Sequence, residues 1–287
     1  MRGKIMAGLI AGALLFGVNA ALAGDVPSND KVALFQTRNI FHSGLRGTHI
    51  VALTFDDGPN RDTLEVLDVL KKEGVKGTFF IVGRMGKRYP EILARIAREG
   101  HLLANHSASH PLLSSRYDRH PSRLLSQIRQ VDDEITPLMP TSAKFYFRAP
   151  YGAWRHAHAK ILNNDPILRK YIGPVYWDVG GETRLNRNGY IMSSADWNCW
   201  HRGWSARTCA KGYLRETRRH NGGVVLMHCI HTQSAALVAA VVPVLKQEGY
   251  RFVRLDEVPA YRKYETPAAP SQPVVASAGA GVAAAAR

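Results

Sequence analysis

Apolar runs and helical periodicities alternate along the chain. Residues 49–55 (His-Ile-Val-Ala-Leu-Thr-Phe) predict a buried strand, closed by the turn-forming Asp56-Asp57-Gly58-Pro59. Residues 62–73 place Leu64, Leu67, Val69 and Leu70 on one side of a helix that Gly74 stops. A second strand follows at 76–82, a helix at 90–99 with Gly100 as its stop, and a short strand at 101–104 running into His106. The alternation continues with a helix at 121–136, a strand at 144–148 and a helix at 155–163. A strand at 174–178, a helix at 205–219, a strand at 223–227, a helix at 234–247 and a last strand at 251–255 complete it. Residues 179–204 lack periodicity and predict a long loop. Strand then helix, repeated about seven times, predicts a parallel α/β fold with polar motifs at the carboxyl ends of the strands.

The ends of the chain fall outside this pattern. Arg2 and Lys4 precede the uncharged run 5–18, and Ala21-Leu22-Ala23 offers a small-x-small cleavage site. Residues 1–23 therefore read as a secretory signal, the alternative being an uncleaved membrane anchor, for which the run is short. Residues 24–47 read as an irregular polar lead-in. Residues 265–287, rich in Ala, Pro, Gly and Val, read as a disordered tail. No other stretch is apolar and long enough to span a bilayer, so the mature chain is expected to carry no transmembrane segment.

The 287 residues are 45% hydrophobic and 21% charged, an ordinary globular balance, with a formal charge of +15. For an exported protein, periplasmic or extracellular, that charge suits anionic cell-wall polymers or membrane head groups and not nucleic acid; plain solubility explains it equally. An oxidising compartment permits a disulfide among the three cysteines. Cys199 and Cys209 flank a short Trp-rich stretch and form the natural pair, leaving Cys229 as a buried thiol.

Five polar groupings stand at or after predicted strand ends, and each has an ordinary explanation when taken alone. Asp56-Asp57 could be a turn, or one carboxylate could ligate a metal while the other moves a proton. His106 and His110 could be solvated loop residues, or could grip one cation from one face if the segment is helical. Arg148 could be a surface residue, or could pair with a carboxylate. Asp196-Trp197 is uninformative alone. His228 could be an edge histidine or an acid–base group. Together they could face one cavity, and Asp57, His106 and His110 make a two-His, one-carboxylate set that leaves metal positions open, as catalytic sites do.

Thr54-Phe55-Asp56-Asp57-Gly58-Pro59, His106-Ser107-x-x-His110, Arg148-x-Pro150-Tyr151, Asp196-Trp197 and Leu226-x-His228 stand in an order that resembles the NodB-homology polysaccharide deacetylases, carbohydrate esterase family four. The resemblance covers roughly residues 48–256 and places a catalytic domain at 48–260. It implies a distorted (β/α) barrel of about seven parallel strands. It further implies a divalent ion, zinc foremost with cobalt or nickel as alternatives, held by Asp57, His106 and His110. Asp56 would be the general base, paired with Arg148, and His228 the general acid, oriented by Asp196. The Tyr151 amide would hold the oxyanion, and Trp197 and Leu226 would wall an acetyl pocket. The expected substrate is an N-acetylated polysaccharide or oligosaccharide, of peptidoglycan, chitin-like or exopolysaccharide type. An O-acetyl esterase of xylan type and a non-catalytic glycan-binding barrel are the alternatives. One departure matters: Asp196 lies well beyond the strand ending at Trp177-Asp178. Either about 179–204 is an insertion lining the substrate groove, or Asp178 orients His228. His228-x-x-His231 could suggest a second metal pair; His231 reads instead as a residue of the first helical turn.

Overall fold

A computed structural model describes residues 34–40, 42–180 and 195–264. The proposed signal, the first part of the lead-in, the greater part of the insertion and the tail lie outside the described residues. In chain order the strands and α-helices are β1 Phe35–Ile40, β2 Ile50–Asp56, α1 Asp62–Glu73, β3 Thr78–Ile81, α2 Gly83–Arg88, α3 Pro90–Arg98 and β4 Leu102–Asn105. They continue with α4 Ser115–Arg119, α5 Pro121–Ile135, β5 Phe145–Tyr146, α6 His156–Asn163, β6 Tyr171–Val175 and α7 Ala195–His201. The last are α8 Ala206–His220, β7 Gly223–His228, α9 Ser234–Gln247 and β8 Arg251–Val253.

All the strand pairings are parallel. β7, β2, β3 and β4 lie side by side, and β1, β6 and β5 form a second group. Single bridges join the groups, Asn105 of β4 to Phe147 after β5 and Val179 after β6 to Val225 of β7, which curls the strands into a barrel. The barrel is distorted because β8 pairs with Ile50–Ala52 of β2, while β3 pairs with Thr54 and Phe55. The fold is thus the distorted α/β barrel that the resemblance implies, built from more strands than expected.

Alternation along each strand explains where the site sits. Val51, Leu53 and Phe55 of β2 and Val225 and Met227 of β7 pack outward under α1, α8 and α9. Ala52 of β2 and Val224 and Leu226 of β7 pack into the barrel interior with Phe80, Ala104 and Tyr146. Both faces are buried, so these strands read as continuous apolar runs. The same period of two carries the inward parity on to Asp56, His106, Arg148 and His228 at the strand ends.

Several expectations are corrected. The lead-in contributes β1, which pairs with β6 and whose residues are tied in by Asn163: its side chain accepts from Phe35 N at 3.0 Å and donates to Phe35 O at 2.8 Å. Strand β6 begins at Tyr171, earlier than expected, and runs through the Gly173-Pro174 pair that reads as a break in the sequence. Within the expected long loop, Ala195–His201 is helical. His231 precedes α9 and stacks on Trp200 with ring centroids 4.7 Å apart, so it lies outside the first helical turn. Cys199 and Cys209 form a disulfide that ties α7 to α8, with 5.9 Å between Cα atoms, and Cys229 is a buried free thiol. No described helix is long and apolar enough to cross a membrane.

Candidate active site and metal centre

Asp56 ends β2 with its side chain turned inward, opposite His228 of β7 in the strand register. Asp57 follows with φ 73°, a left-handed backbone that swings its carboxylate onto a different bearing. Ser107, His110 and Tyr151 are left-handed as well. None is glycine, and such conformations persist where the surroundings over-determine them, commonly at functional sites. The segment 106–110 is therefore a bent loop and not a helical turn. Its two imidazoles meet because the backbone reverses hand at Ser107 and His110, with ring centroids 4.9 Å apart.

Asp57 Oδ1 lies 3.1 Å from His110 Nε2 and 3.5 Å from His106 Nε2. The ligand atoms of these three residues all fall within 4.8 Å of one another. His106 Nδ1 is 2.8 Å from the Arg148 carbonyl, which can only accept; Nδ1 carries the proton and Nε2 presents a lone pair. Burial pushes the His106 pKa below its ordinary value against the pull of Asp56 and Asp57, which keeps the ring neutral. Burial would raise the Asp57 carboxyl, but the His110 contact and the charge of His228 and His106 hold it well below the usual carboxylate range. Asp57 Oδ1 is buried without a well-aligned hydrogen bond although two imidazole nitrogens face it. Two imidazole nitrogens and a carboxylate oxygen converging in this way fit a divalent ion that suits imidazole.

On one side of this trio, Arg148 donates from Nη1 to Asp56 Oδ1 at 2.7 Å and to Thr54 Oγ1 at 2.9 Å. The guanidinium is buried, sits over the Phe80 ring at 4.1 Å, and gives its Nε to the Val175 carbonyl at 3.2 Å. Asp56 Oδ2 remains directed at the trio, 3.6 Å from His106 Nε2. On the other side, His228 Nδ1 lies 3.2 Å from both oxygens of Asp196, and the His228 amide donates to Asp196 Oδ2 at 2.6 Å. Burial alone would lower the His228 pKa; the Asp196 charge and hydrogen bond outweigh it, with Asp57 and Asp56 adding, and push it up to about 9. His228 Nε2 is 3.7 Å from Asp57 Oδ2.

Asp178 stands elsewhere. It accepts from Ser43 Oγ, from the Val224 amide at 2.9 Å and from Arg46 Nε at 3.0 Å, so it ties the end of β6 to β7 and to the segment after β1. Of the two candidate partners, Asp196 is the one against His228.

A cavity of about 580 Å³ opens on the cluster, and Tyr151, Trp197 and Leu226 all line it. Tyr151 is 67% and Trp197 49% exposed, so this wall of the cavity stands open to solvent. Sequence reasoning missed Tyr213, whose hydroxyl donates to the Leu226 carbonyl at 2.9 Å beside Asp196, and missed Arg84 and Met85 in the cavity wall. No sequence signal marks them, since a tyrosine on a helix face and an arginine after a strand are commonplace.

Fold and site define an α/β-barrel enzyme with its polar cluster at the carboxyl ends of the strands. The polysaccharide deacetylase family model matches residues 44–167. The chain is 33% identical over 210 residues to a peptidoglycan-N-acetylglucosamine deacetylase of Bacillus cereus, covering 71% of this chain and 66% of that protein. It is 28% identical over 215 residues to the peptidoglycan-N-acetylmuramic acid deacetylase PdaC of Bacillus subtilis, covering 75% of this chain and 39% of that protein. The chain thus spans about two thirds of the first relative's length and well under half of the second's. The solved structure of the Bc1960 peptidoglycan N-acetylglucosamine deacetylase matches with a TM-score of 0.58 at 29% identity, covering 79% of this chain and 92% of that one. The chain belongs to the polysaccharide deacetylase family, NodB-homology carbohydrate esterase family four, and is an enzyme of that family.

Proposed function

We propose that the protein hydrolyses the acetamide of N-acetylated amino sugars in a peptidoglycan-type polymer, using one divalent ion, zinc foremost. The observation that carries this reading is the flanking of the Asp57–His106–His110 donor set by two different proton-transfer groups. Asp56 Oδ2 is 3.6 Å from one imidazole ligand, and His228 Nε2 is 3.7 Å from the carboxylate ligand.

Asp57, His106 and His110 would hold the ion, whose Lewis acidity lowers the pKa of water and polarises a carbonyl. Asp56, with Oδ1 committed to Arg148, offers Oδ2 to take a proton from the attacking water. The water oxygen bonds to the acetyl carbon and the C–N bond breaks. His228 gives its Nε2 proton to the departing amine nitrogen while Asp196 holds Nδ1–H, so acetate and a free amino sugar result. The Tyr151 amide donates to the developing oxyanion, and Trp197 and Leu226 bound the space for the acetyl methyl. An amine leaves poorly without a proton, and an imidazole with a pKa pushed up to about 9 keeps one at neutral pH; this supports an amide over an ester as the substrate bond.

Relatives that act on peptidoglycan, together with the Cys199–Cys209 disulfide, support a site of action outside the cytoplasm. An acetate-release screen of metal-stripped and metal-reconstituted protein on peptidoglycan, N-acetylglucosamine oligomers and acetylated xylan tests the reading. Release from the amino-sugar polymers, restored by the ion, is expected. Folded protein that takes up metal and binds glycan but frees no acetate would overturn it and leave a glycan-binding barrel.

A further inference from the structure

The geometry points to a carboxylate-binding position in the cavity wall: Arg84 receives an acidic substituent of the glycan, which makes the preferred substrate a carboxylate-bearing amino-sugar polymer over a neutral one. This inference rests on the deacetylase reading and goes beyond it by naming a specificity residue.

The other charged side chains lining the cavity are engaged with one another: Asp56 with Arg148, Asp57 with His106 and His110, His228 with Asp196. Arg84 lines the same cavity and is exposed, and its guanidinium makes no hydrogen bond or ion pair among the described residues. Glu134 of α5, which packs against Gly83 and Gly86, faces Lys87 at 3.8 Å. Arg84 is also held in place. Its amide donates to the Ala108 carbonyl at 2.8 Å, and the Gly83 amide donates to Ser107 O at 3.1 Å. Both acceptors belong to the loop between His106 and His110, so the arginine is referenced to the metal ligands themselves. Gly83 permits this approach: a Cβ there would stand 3.2 Å from the Ala108 Cα and 3.1 Å from Val131 Cγ2.

A planar guanidinium with free donors suits a carboxylate, which it can bind through two parallel hydrogen bonds. Among amino sugars of bacterial walls, N-acetylmuramic acid carries a lactyl carboxylate on O-3, next to the C-2 acetamide; N-acetylglucosamine carries none.

The test compares two polymers: glycan strands of peptidoglycan freed of stem peptides, which keep the lactyl carboxylates, and neutral N-acetylglucosamine oligomers. Wild type should favour the acidic strands. Arg84→Ala should lower the acidic-to-neutral ratio of kcat/KM by about tenfold, the scale of one charge-assisted hydrogen bond, and mostly through KM. Arg84→Lys should keep part of the preference. Masking the strand carboxylates as methylamides should abolish the wild-type preference without any change to the protein. An unchanged ratio in Arg84→Ala, or a wild type indifferent to masking, would overturn the inference while acetate release left the deacetylase reading standing. Release from neither polymer would overturn both.

Discussion

The proposed base side and the proposed acid side of the site are built from different materials. Asp56 ends β2 and Arg148 follows β5, two barrel strands that lean on each other across the interior, and Thr54, Phe80 and the Val175 carbonyl around them are barrel wall. His228 also ends a strand, but its partner Asp196 arrives on the short helix α7, which is tied to α8 by the Cys199–Cys209 disulfide. The proposed base, Asp56, is therefore anchored in the barrel wall itself. The proposed acid, His228, depends on an appended element whose position must be fixed separately.

The widest gap should open on the base side. Asp56→Asn removes the proton acceptor but leaves the Asp57–His106–His110 donors in place, so kcat should fall about 10³-fold, within the range of a general base, while metal uptake by calorimetry persists. His106→Ala should abolish both. An Asp56→Asn protein retaining most of its turnover would show that the strand-borne carboxylate is not the base, and the contrast between the two sides would lose its meaning.

On the acid side the expected effect is a shift in pH dependence. His228 must be protonated to act as an acid. With its pKa pushed up to about 9, that form is full near neutrality and is lost as pH rises through 9. Asp196→Asn removes the charge that raises it. The falling limb of the kcat profile should move to lower pH by about one to three units, with activity at low pH affected least. A limb that stays in place would separate Asp196 from the titration of His228 and reopen the question of Asp178.

The same division governs what could be read from the sequence. Asp56, Asp57, His106, Arg148 and His228 were legible because buried parallel strands read as apolar runs, and the residues just past each run inherit a defined parity and a common end of the barrel. The left-handed turns at Ser107 and His110 were not legible, because a non-glycine residue in that conformation leaves no compositional trace. The helix carrying Asp196 was hidden for a different reason. Its few residues between unpatterned segments show too little periodicity to declare an amphipathic face, so Asp178, at a strand end, stood as the alternative to Asp196. Strand β1 was missed because only Phe35 and Ile40 of its six residues are fully buried, which gives an edge strand with no apolar run.

A smaller effect should follow from freeing α7. Replacing Cys199 and Cys209 together by Ser opens a short loop, and loop-closure entropy sets the loss at about 2–3 kcal/mol, a fall in Tm of roughly 5–10 °C. If α7 is what aims Asp196, the double variant should also lose kcat and show a broadened alkaline limb, while metal affinity stays with the barrel. A variant that loses stability but keeps the wild-type profile would show that α7 is seated by packing alone.

The mildest change tests whether that packing includes Tyr213. Its hydroxyl donates to the Leu226 carbonyl, two residues before His228, and lies against Asp196 from the neighbouring helix α8. Burial, and then the Asp196 charge, push the phenol pKa well above its ordinary value, so the group stays a donor across the working pH range. Tyr213→Phe keeps the ring and removes that donor, a loss of about 1 kcal/mol by the usual measure of one buried hydrogen bond. Because the bond fixes β7 and the flank of Asp196 together, the expected signature is a few-fold fall in kcat and a slight downward drift of the alkaline limb at unchanged KM. A stability loss with no kinetic change would assign Tyr213 to the core alone and narrow the acid-side support to the disulfide and α7.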